Sequence, residues 1–171
     1  LGNLGKNNML SVSPETPLII STRDLDKNGS VDPLMFNSQQ NKNGEWDMFP
    51  VQFWDNLTQQ SPLFRKEFNS YHAFSKANMN YYQEKEYLIK DSLLSAKHDT
   101  SKWLENLGSN TFKLNTLPDP LQLGPINDFL VIETAQDQSV FVIGNDFGGP
   151  PFEGNFDAFQ GAIINTNTMG N

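Results

Sequence analysis

Residues 24–32 must form a bend, because they carry Asn28-Gly29 and alternate oxygen-bearing side chains between two apolar runs. A twelve-residue calcium loop takes its ligands from positions 1, 3, 5, 7 and 9 and needs a glycine at position 6. Counted from Asp24, Gly29 is the sixth residue. The pattern predicts a calcium site with the following ligands: Asp24, Asp26, Asn28, Ser30 and Asp32.

The twelfth position departs from this pattern. A calcium loop places a bidentate Glu there, whereas this chain has Met35, and the next Glu after it is Glu45. The same residues are also typical of a β-hairpin, since the apolar runs 18–20 and 34–36 flank an Asn-Gly pair that suits a type I′ turn. The triplet 28–30 is in addition a glycosylation acceptor if the chain enters a eukaryotic secretory pathway. A metal loop and a plain turn are compatible, and both interpretations stay open.

The charge and cysteine content narrow the partners. Asp and Glu total 20 against 12 Lys and Arg, so the net charge is −8. Such a chain lacks the positive field that attracts nucleic acid or an anionic membrane. Without cysteine there is no disulfide, thiolate zinc site or Cys nucleophile. Apolar runs such as 129–132 are too short to cross a bilayer. Calcium is the only cofactor expected, and proteins or further copies of the chain are the expected partners.

The polarity pattern predicts an extended polar arm over 1–17 and a single globular domain over 18–171. Short strands are expected at both ends of the domain, in these segments: 18–22, 31–37, 111–116, 129–134 and 140–144. Apolar residues at helical spacing predict helices that begin at Ser61-Pro62 and continue over 76–97 and 101–107. We therefore expect an α+β fold, in which a central helical segment (about 62–107) packs on a small, mainly antiparallel sheet from the N- and C-terminal thirds.

The strand candidates 129–134 and 140–144 carry nearly continuous β-branched and aromatic residues. Strands of this kind are usually covered on both faces. The sequence therefore predicts a hairpin with both faces buried, one of them by the helices.

The glycine-rich stretch 144–157 is the second candidate site, because loops at the end of a buried strand often carry function. Its phenylalanines are typical of an assembly contact, since aromatic anchors dominate interfaces: Phe147, Phe152 and Phe156. Its carboxylates are the alternative, as the general acid and base of a carbohydrate-directed hydrolase: Asp146, Glu153 and Asp157.

Other catalytic signatures are absent from the sequence. There is no Gly-x-Ser-x-Gly elbow and no phosphate-binding glycine loop. The two imidazoles, His72 and His98, have no partner at i+4 for a transition-metal site. Trp46 and Trp54 adjoin carboxylates, as in sugar-binding clefts, but equally suit the hydrophobic start of the helical region.

The sequence therefore favours a non-catalytic structural or binding subunit of an extracellular or virion-type assembly, stabilised by calcium. The carbohydrate-directed hydrolase is the alternative, and a calcium-responsive binding module is the third hypothesis.

Overall fold

The computed structural model describes residues 1–10, 12–133, 138–148 and 155–165. Helices and three antiparallel sheets make up a mixed α+β fold, as the sequence predicts. The chain divides into two compact units, one formed by Leu10–His98 and the other by Leu1–Met9 with Asp99–Asn171. Among the described residues each sheet takes its strands from one unit, so the N- and C-terminal strands expected in one small sheet lie in separate antiparallel sheets.

The unit of residues 10–98 contains a four-stranded antiparallel sheet. Its strands are β1 (Leu18–Ser21), β2 (Leu34–Gln40), β3 (Trp46–Pro50) and β4 (Leu93–Ala96), in the order β3-β2-β1-β4. β1 and β2 pair with Ser21 opposite Leu34. The connection between them is therefore the whole segment 22–33, and the tight two-residue turn that Asn-Gly suggests does not form.

Four short helices lie between β3 and β4: α1 (Trp54–Gln60), α2 (Leu63–Glu67), α3 (Tyr71–Phe74) and α4 (Met79–Glu84). The expected helix from Pro62 ends at Phe68, whose backbone is extended. Ser70 then starts α3, because its side chain accepts the N–H of Ala73.

The prediction of one helix over 76–97 is wrong. α4 ends at Glu84, and Glu86 takes a left-handed backbone with φ 59°. A 3₁₀ turn at Lys90–Ser92 then leads into β4, whose pairing with β1 satisfies the backbone that a helix would otherwise bond internally.

Aromatic and aliphatic side chains from the sheet and the helices share one core. Phe36 of β2 lies edge-to-face on Tyr82 of α4, with ring centroids 5.2 Å apart. Leu57 and Phe64 close the core from α1 and α2, and these side chains are completely buried. The apolar stripe read from the sequence is thus core, although it comes from several short helices.

The unit formed by residues 1–9 and 99–171 is built on strands. β5 (Lys102–Gly108) and β6 (Thr111–Thr116) form a hairpin, and a 3₁₀ turn covers Asp119–Gln122. β7 (Ile126–Glu133), β8 (Gln138–Gly144) and β9 (Ala162–Asn165) form a sheet in the order β7-β8-β9.

The helix predicted over 101–107 is a strand. Leu104 faces Leu114 and Glu105 faces Lys113 across the β5–β6 hairpin. Gly108 has φ +85° and begins the hairpin turn, so it does not end a helix. Cross-strand pairing outweighs helical spacing in this segment, because the spacing of three apolar residues fits either structure.

The first nine residues, expected as part of an extended arm, bond to the rest of their unit. Leu1 and Lys102 exchange backbone hydrogen bonds of 2.8 and 3.0 Å, and the N–H of Gly5 donates to the carbonyl of Asp99 at 2.8 Å. Gly5 has φ +85°, and a Cβ on it would lie 2.6 Å from the carbonyl oxygen of Gln122. A glycine is therefore required where this segment passes the 3₁₀ turn.

A buried amide organises the small core of this unit. The Gln122 side chain donates to the carbonyls of Ser101 and Leu117 at 2.9 Å and accepts the Ser101 N–H at 2.8 Å. Leu117, Leu121, Val142 and Phe159 are the buried apolar side chains. Because the amide is fully bonded, its burial carries little desolvation cost.

Candidate functional site

The segment 22–33 is closed by hydrogen bonds around the buried Asp32. Its backbone N–H donates to the carbonyl of Arg23 at 2.7 Å, and its carboxylate accepts the N–H of Leu25 at 2.8 Å. Asp32 is only 2% exposed. The loop thus folds back on a carboxylate that retains capacity for further contacts.

Two more carboxylates turn toward the same point. Asp24 accepts the backbone N–H groups of Asn28 (3.1 Å) and Gly29 (2.8 Å), and Asp26 accepts that of Asn28 at 3.2 Å. Gly29 has φ +91° with open space around it, so its conformation, not crowding, selects glycine. Ser61 donates to the other oxygen of Asp26 at 3.2 Å.

The result is a cluster of three carboxylates, which we name the acidic loop cluster: Asp24, Asp26 and Asp32. One oxygen from each lies within 4.8 Å of the others. In the described parts of the chain, no other His or acidic residues form such a group of three. An all-oxygen set suits calcium and magnesium and not the metals that prefer nitrogen or sulfur.

The remaining predicted ligands lie at the rim of the loop. Asn28 and Ser30 are exposed, and the Asn28 side-chain oxygen accepts the N–H of Ser30 at 2.8 Å. Met35, at the twelfth position, lies in β2 and its N–H donates to Gln52 at 3.1 Å. The loop therefore has the first part of a calcium-binding pattern without the closing carboxylate.

The glycine-rich stretch is described only at its two ends. Asp146 and Phe156 form a β-bridge with backbone bonds of 2.9 and 3.0 Å, and Asp146 accepts the N–H of Gly148 at 2.8 Å. Asp157 is exposed. Phe152 and Glu153 lie outside the described residues. The two described carboxylates, on Asp146 and Asp157, are therefore both exposed.

The other candidate residues are distributed as follows. Phe147 is exposed and Phe156 is half-buried. His72 and His98 are both exposed in the unit of residues 10–98. Trp54 is half-buried and packs against the core. Its indole N–H donates to the carbonyl of Phe64 at 3.0 Å, and its ring lies edge-on to Tyr71.

Sequence reasoning missed a polar cluster inside the helical region. The Glu67 carboxylate accepts hydrogen bonds from the hydroxyls of Tyr81 and Tyr87, the latter at 2.7 Å, and lies 3.1 Å from the Lys85 ammonium. Burial raises the pKa of Glu67, but these hydrogen bonds and the Lys85 charge outweigh it, so the pKa is lowered. Burial and the bond to Glu67 raise the pKa of Tyr81 to about 12.

This cluster links α2 to α4 and to the segment after it. Its members are all satisfied by one another. It is a structural network, and no spacing in the sequence indicates it, because a tertiary contact brings Glu67 to the tyrosines.

The β7-β8-β9 sheet exposes a row of apolar side chains. Leu130, Phe141 and Ile163 lie opposite one another across the three strands and therefore on one face. Leu130 is 61% and Ile163 is 68% exposed. Ile132 and Ile143 extend this surface, which we name the apolar sheet face.

The opposite face of the sheet is only partly covered. Val140 and Val142 pack on the small core, whereas Phe129 and Val131, farther along β7, are exposed. Within the described parts of the chain, the two faces of this hairpin are therefore not both covered, contrary to the prediction. Continuous apolar residues indicate a strand that needs cover, but the described chain does not supply it.

A scan of protein families, of curated proteins and of solved structures finds no match for this chain. Among the described residues, no helix has the length and apolar character needed to cross a membrane.

Proposed function

We propose that this protein is a non-catalytic binding subunit that holds protein partners in an extracellular or virion-type assembly and is stabilised by calcium. The observation that carries the proposal is the apolar sheet face. Exposed apolar patches of this kind are uncommon on proteins that act alone and mark interaction sites. Leu130, Phe141 and Ile163 are contiguous across three strands, so they form a patch and not scattered residues.

The acidic loop cluster supports the calcium part of the proposal. Three carboxylates whose oxygens lie within 4.8 Å of one another repel unless a cation balances them. Asp24, Asp26 and Asp32 would hold the ion, and the ion would lock the segment 22–33 between β1 and β2. The role of the ion would be structural, because no His that could act as an acid or base belongs to the cluster among the described residues.

The missing twelfth-position carboxylate bears on where the protein works. Extracellular calcium modules have a Kd of about 10⁻⁴–10⁻³ M. A site with fewer ligands and less ligand charge binds calcium more weakly. A loop with Met35 in place of Glu fits that weak range. This agrees with an extracellular or virion setting, where calcium is plentiful.

The hydrolase alternative stays a prediction. Its residues Asp146 and Asp157 are exposed, and Glu153 lies outside the described residues. Two-carboxylate hydrolysis needs a fixed separation of roughly 5 Å or 6.5–9.5 Å between the groups. No observation among the described residues favours this reaction over binding.

Hydrodynamic mass in the natural source tests the proposal. An extract prepared in 2 mM calcium, at roughly the free concentration such loops require, is fractionated by size and probed for the chain. A binding subunit migrates with a mass well above that of its own polypeptide. Migration at the polypeptide's own mass, together with hydrolytic activity that is lost in D146N or D157N, would overturn the proposal in favour of the enzyme.

A further inference from the structure

The outer edge of β7 is open in the described chain. β7 pairs with β8 on one side, and no described segment pairs with it on the other. It is eight residues long, and the pairing is regular from Asp128 to Glu133 after an irregularity at its start. Natural proteins protect such edges with Lys, Pro, a bulge or a covering segment, because an open edge pairs with other strands. Residues 128–133 contain neither Lys nor Pro.

The same stretch is apolar on both faces. Phe129 and Val131 point to one face and Leu130 and Ile132 to the other, and all of them are exposed. An added strand would therefore gain backbone hydrogen bonds along the edge and apolar contacts above and below it. We propose that β7 takes up a partner strand by edge pairing, with its apolar sheet face continued by the partner.

The charges at the ends of this stretch decide against a second copy as the occupant. Antiparallel self-pairing that overlaps all four apolar residues places Leu130 opposite Val131, and then Asp128 opposite Glu133 at both ends. Parallel self-pairing in register places each carboxylate beside its own copy. Like charges directly opposite each other destabilise a strand pair.

The same charges define the partner. A complementary antiparallel strand carries four apolar residues flanked by Lys or Arg, so that its cations meet Asp128 and Glu133. The surrounding chain adds to this preference, because no Lys or Arg occurs after Lys113. One oxygen of Asp128 accepts the Phe129 N–H at 2.8 Å, which leaves the other to meet the cation. The partner is thus a protein strand with an apolar centre and basic ends.

This inference rests on the proposed function and names the partner's chemistry. The probe is a synthetic hexapeptide, Lys-Val-Ile-Val-Val-Lys with blocked ends, titrated into the whole chain by calorimetry. Controls are the same peptide with Glu at both ends and a version N-methylated at alternate residues, which cannot donate along the edge. Backbone amide exchange of residues 128–133 reports where the peptide binds.

The matched variants are L130K and L94K. Both leucines are exposed on edge strands, at 61% and 60%, but Leu94 lies in β4 of the other unit. We expect the Lys-ended peptide to bind the wild type and L94K, to slow amide exchange in 128–133, and to bind L130K at least tenfold more weakly. I132K serves as a second variant if L130K loses its native circular dichroism.

Several outcomes would overturn the inference. These are no binding of the Lys-ended peptide, equal binding of the Glu-ended or N-methylated peptide, equal loss in L94K, or dimers of the wild type that L130K abolishes. Failure of the proposed function has a different signature, since the chain would then migrate alone in its natural source. A chain that joins a large particle both as wild type and as L130K would refute edge pairing and leave the proposed function standing.

Discussion

Neutralising one member of the acidic loop cluster should have opposite effects with and without calcium. Asp26→Asn removes a charge but keeps one oxygen, which can accept the Asn28 N–H, while its NH2 group can donate to the Ser61 hydroxyl in place of the second carboxylate oxygen. Carboxylate oxygens within 4.8 Å of each other repel by about 0.9 kcal/mol per pair at a water-like dielectric. Without divalent ions, D26N should therefore unfold at an equal or higher temperature, with a gain of about 1–2 kcal/mol as the upper range.

Calcium should reverse this order. At 10 mM calcium a site with a Kd of about 10⁻⁴–10⁻³ M meets about 10–100 times its Kd, so an ion that binds only the folded state stabilises the wild type by about 1.4–2.7 kcal/mol. For a chain of this length each kcal/mol raises the melting temperature by about 2–4 °C, so the expected rise at 10 mM is about 3–11 °C. D26N should lose most of this rise, because one of the three charged ligands is gone.

The assay is thermal unfolding, measured by circular dichroism in EDTA and across a calcium series up to 10 mM. This highest concentration is roughly tenfold above the largest Kd of extracellular calcium sites. Glu84→Gln is the matched control, because Glu84 is exposed in the same unit and lies outside the loop. It should keep the full calcium response. A wild type that does not respond to calcium, or a D26N that responds as strongly as the wild type, would refute the reasoning.

The other predictions concern stability. Tyr82→Phe should stabilise the protein by about 1 kcal/mol, since the Tyr82 hydroxyl is buried without a hydrogen-bond partner among the described residues. Burial raises the pKa of Tyr82, so the free energy of unfolding of the wild type is intact below about pH 10 and falls above it, where the unfolded chain ionises. The stability advantage of Y82F in urea titrations should therefore grow at alkaline pH, and an unchanged difference between the two proteins would contradict this. Because the pKa of Glu67 is lowered by folding, its contribution to the free energy of unfolding is present above the pKa of the unfolded chain and is lost as the pH falls through the pKa of the folded protein. The stability that E67Q lacks relative to the wild type in urea titrations should therefore shrink below about pH 4. Gly5→Ala should cost clearly more than Gly44→Ala in the same titration, because both have positive φ but only Gly5 would place its Cβ 2.6 Å from a carbonyl oxygen; equal costs would count against the packing described for residues 1–9.

Local patterns in the sequence predict several elements correctly. Thr111–Thr116 alternates apolar and polar residues and forms β6, and the β-branched runs near 129 and 140 form β7 and β8. These elements follow from period-two patterning and strong β propensity, which are local properties. The proximity of Asp24, Asp26 and Asp32 was also accessible to sequence reasoning, because a single bend brings the three carboxylates together.

Other features depend on contacts that the sequence does not announce. Trp103, Leu104 and Leu107 fit helical spacing, yet β6 pairs with this segment and makes it a strand. Glu67 meets Tyr81 and Tyr87 only because the helices between them break at Phe68 and restart at Ser70. Such outcomes are decided by tertiary packing, which routinely overrides local propensity.

The mass of the particle that contains this chain in its natural source tests the central claim most directly. The claim is that Leu130, Phe141 and Ile163, which are exposed in the single chain, are covered by a partner protein in the assembly. Sedimentation in calcium-containing buffer should give a particle heavier than the polypeptide alone, and its dissociation should raise amide exchange in β7. A chain that sediments at its own mass, with the same exchange rate in β7 before and after mild denaturant, would contradict the account.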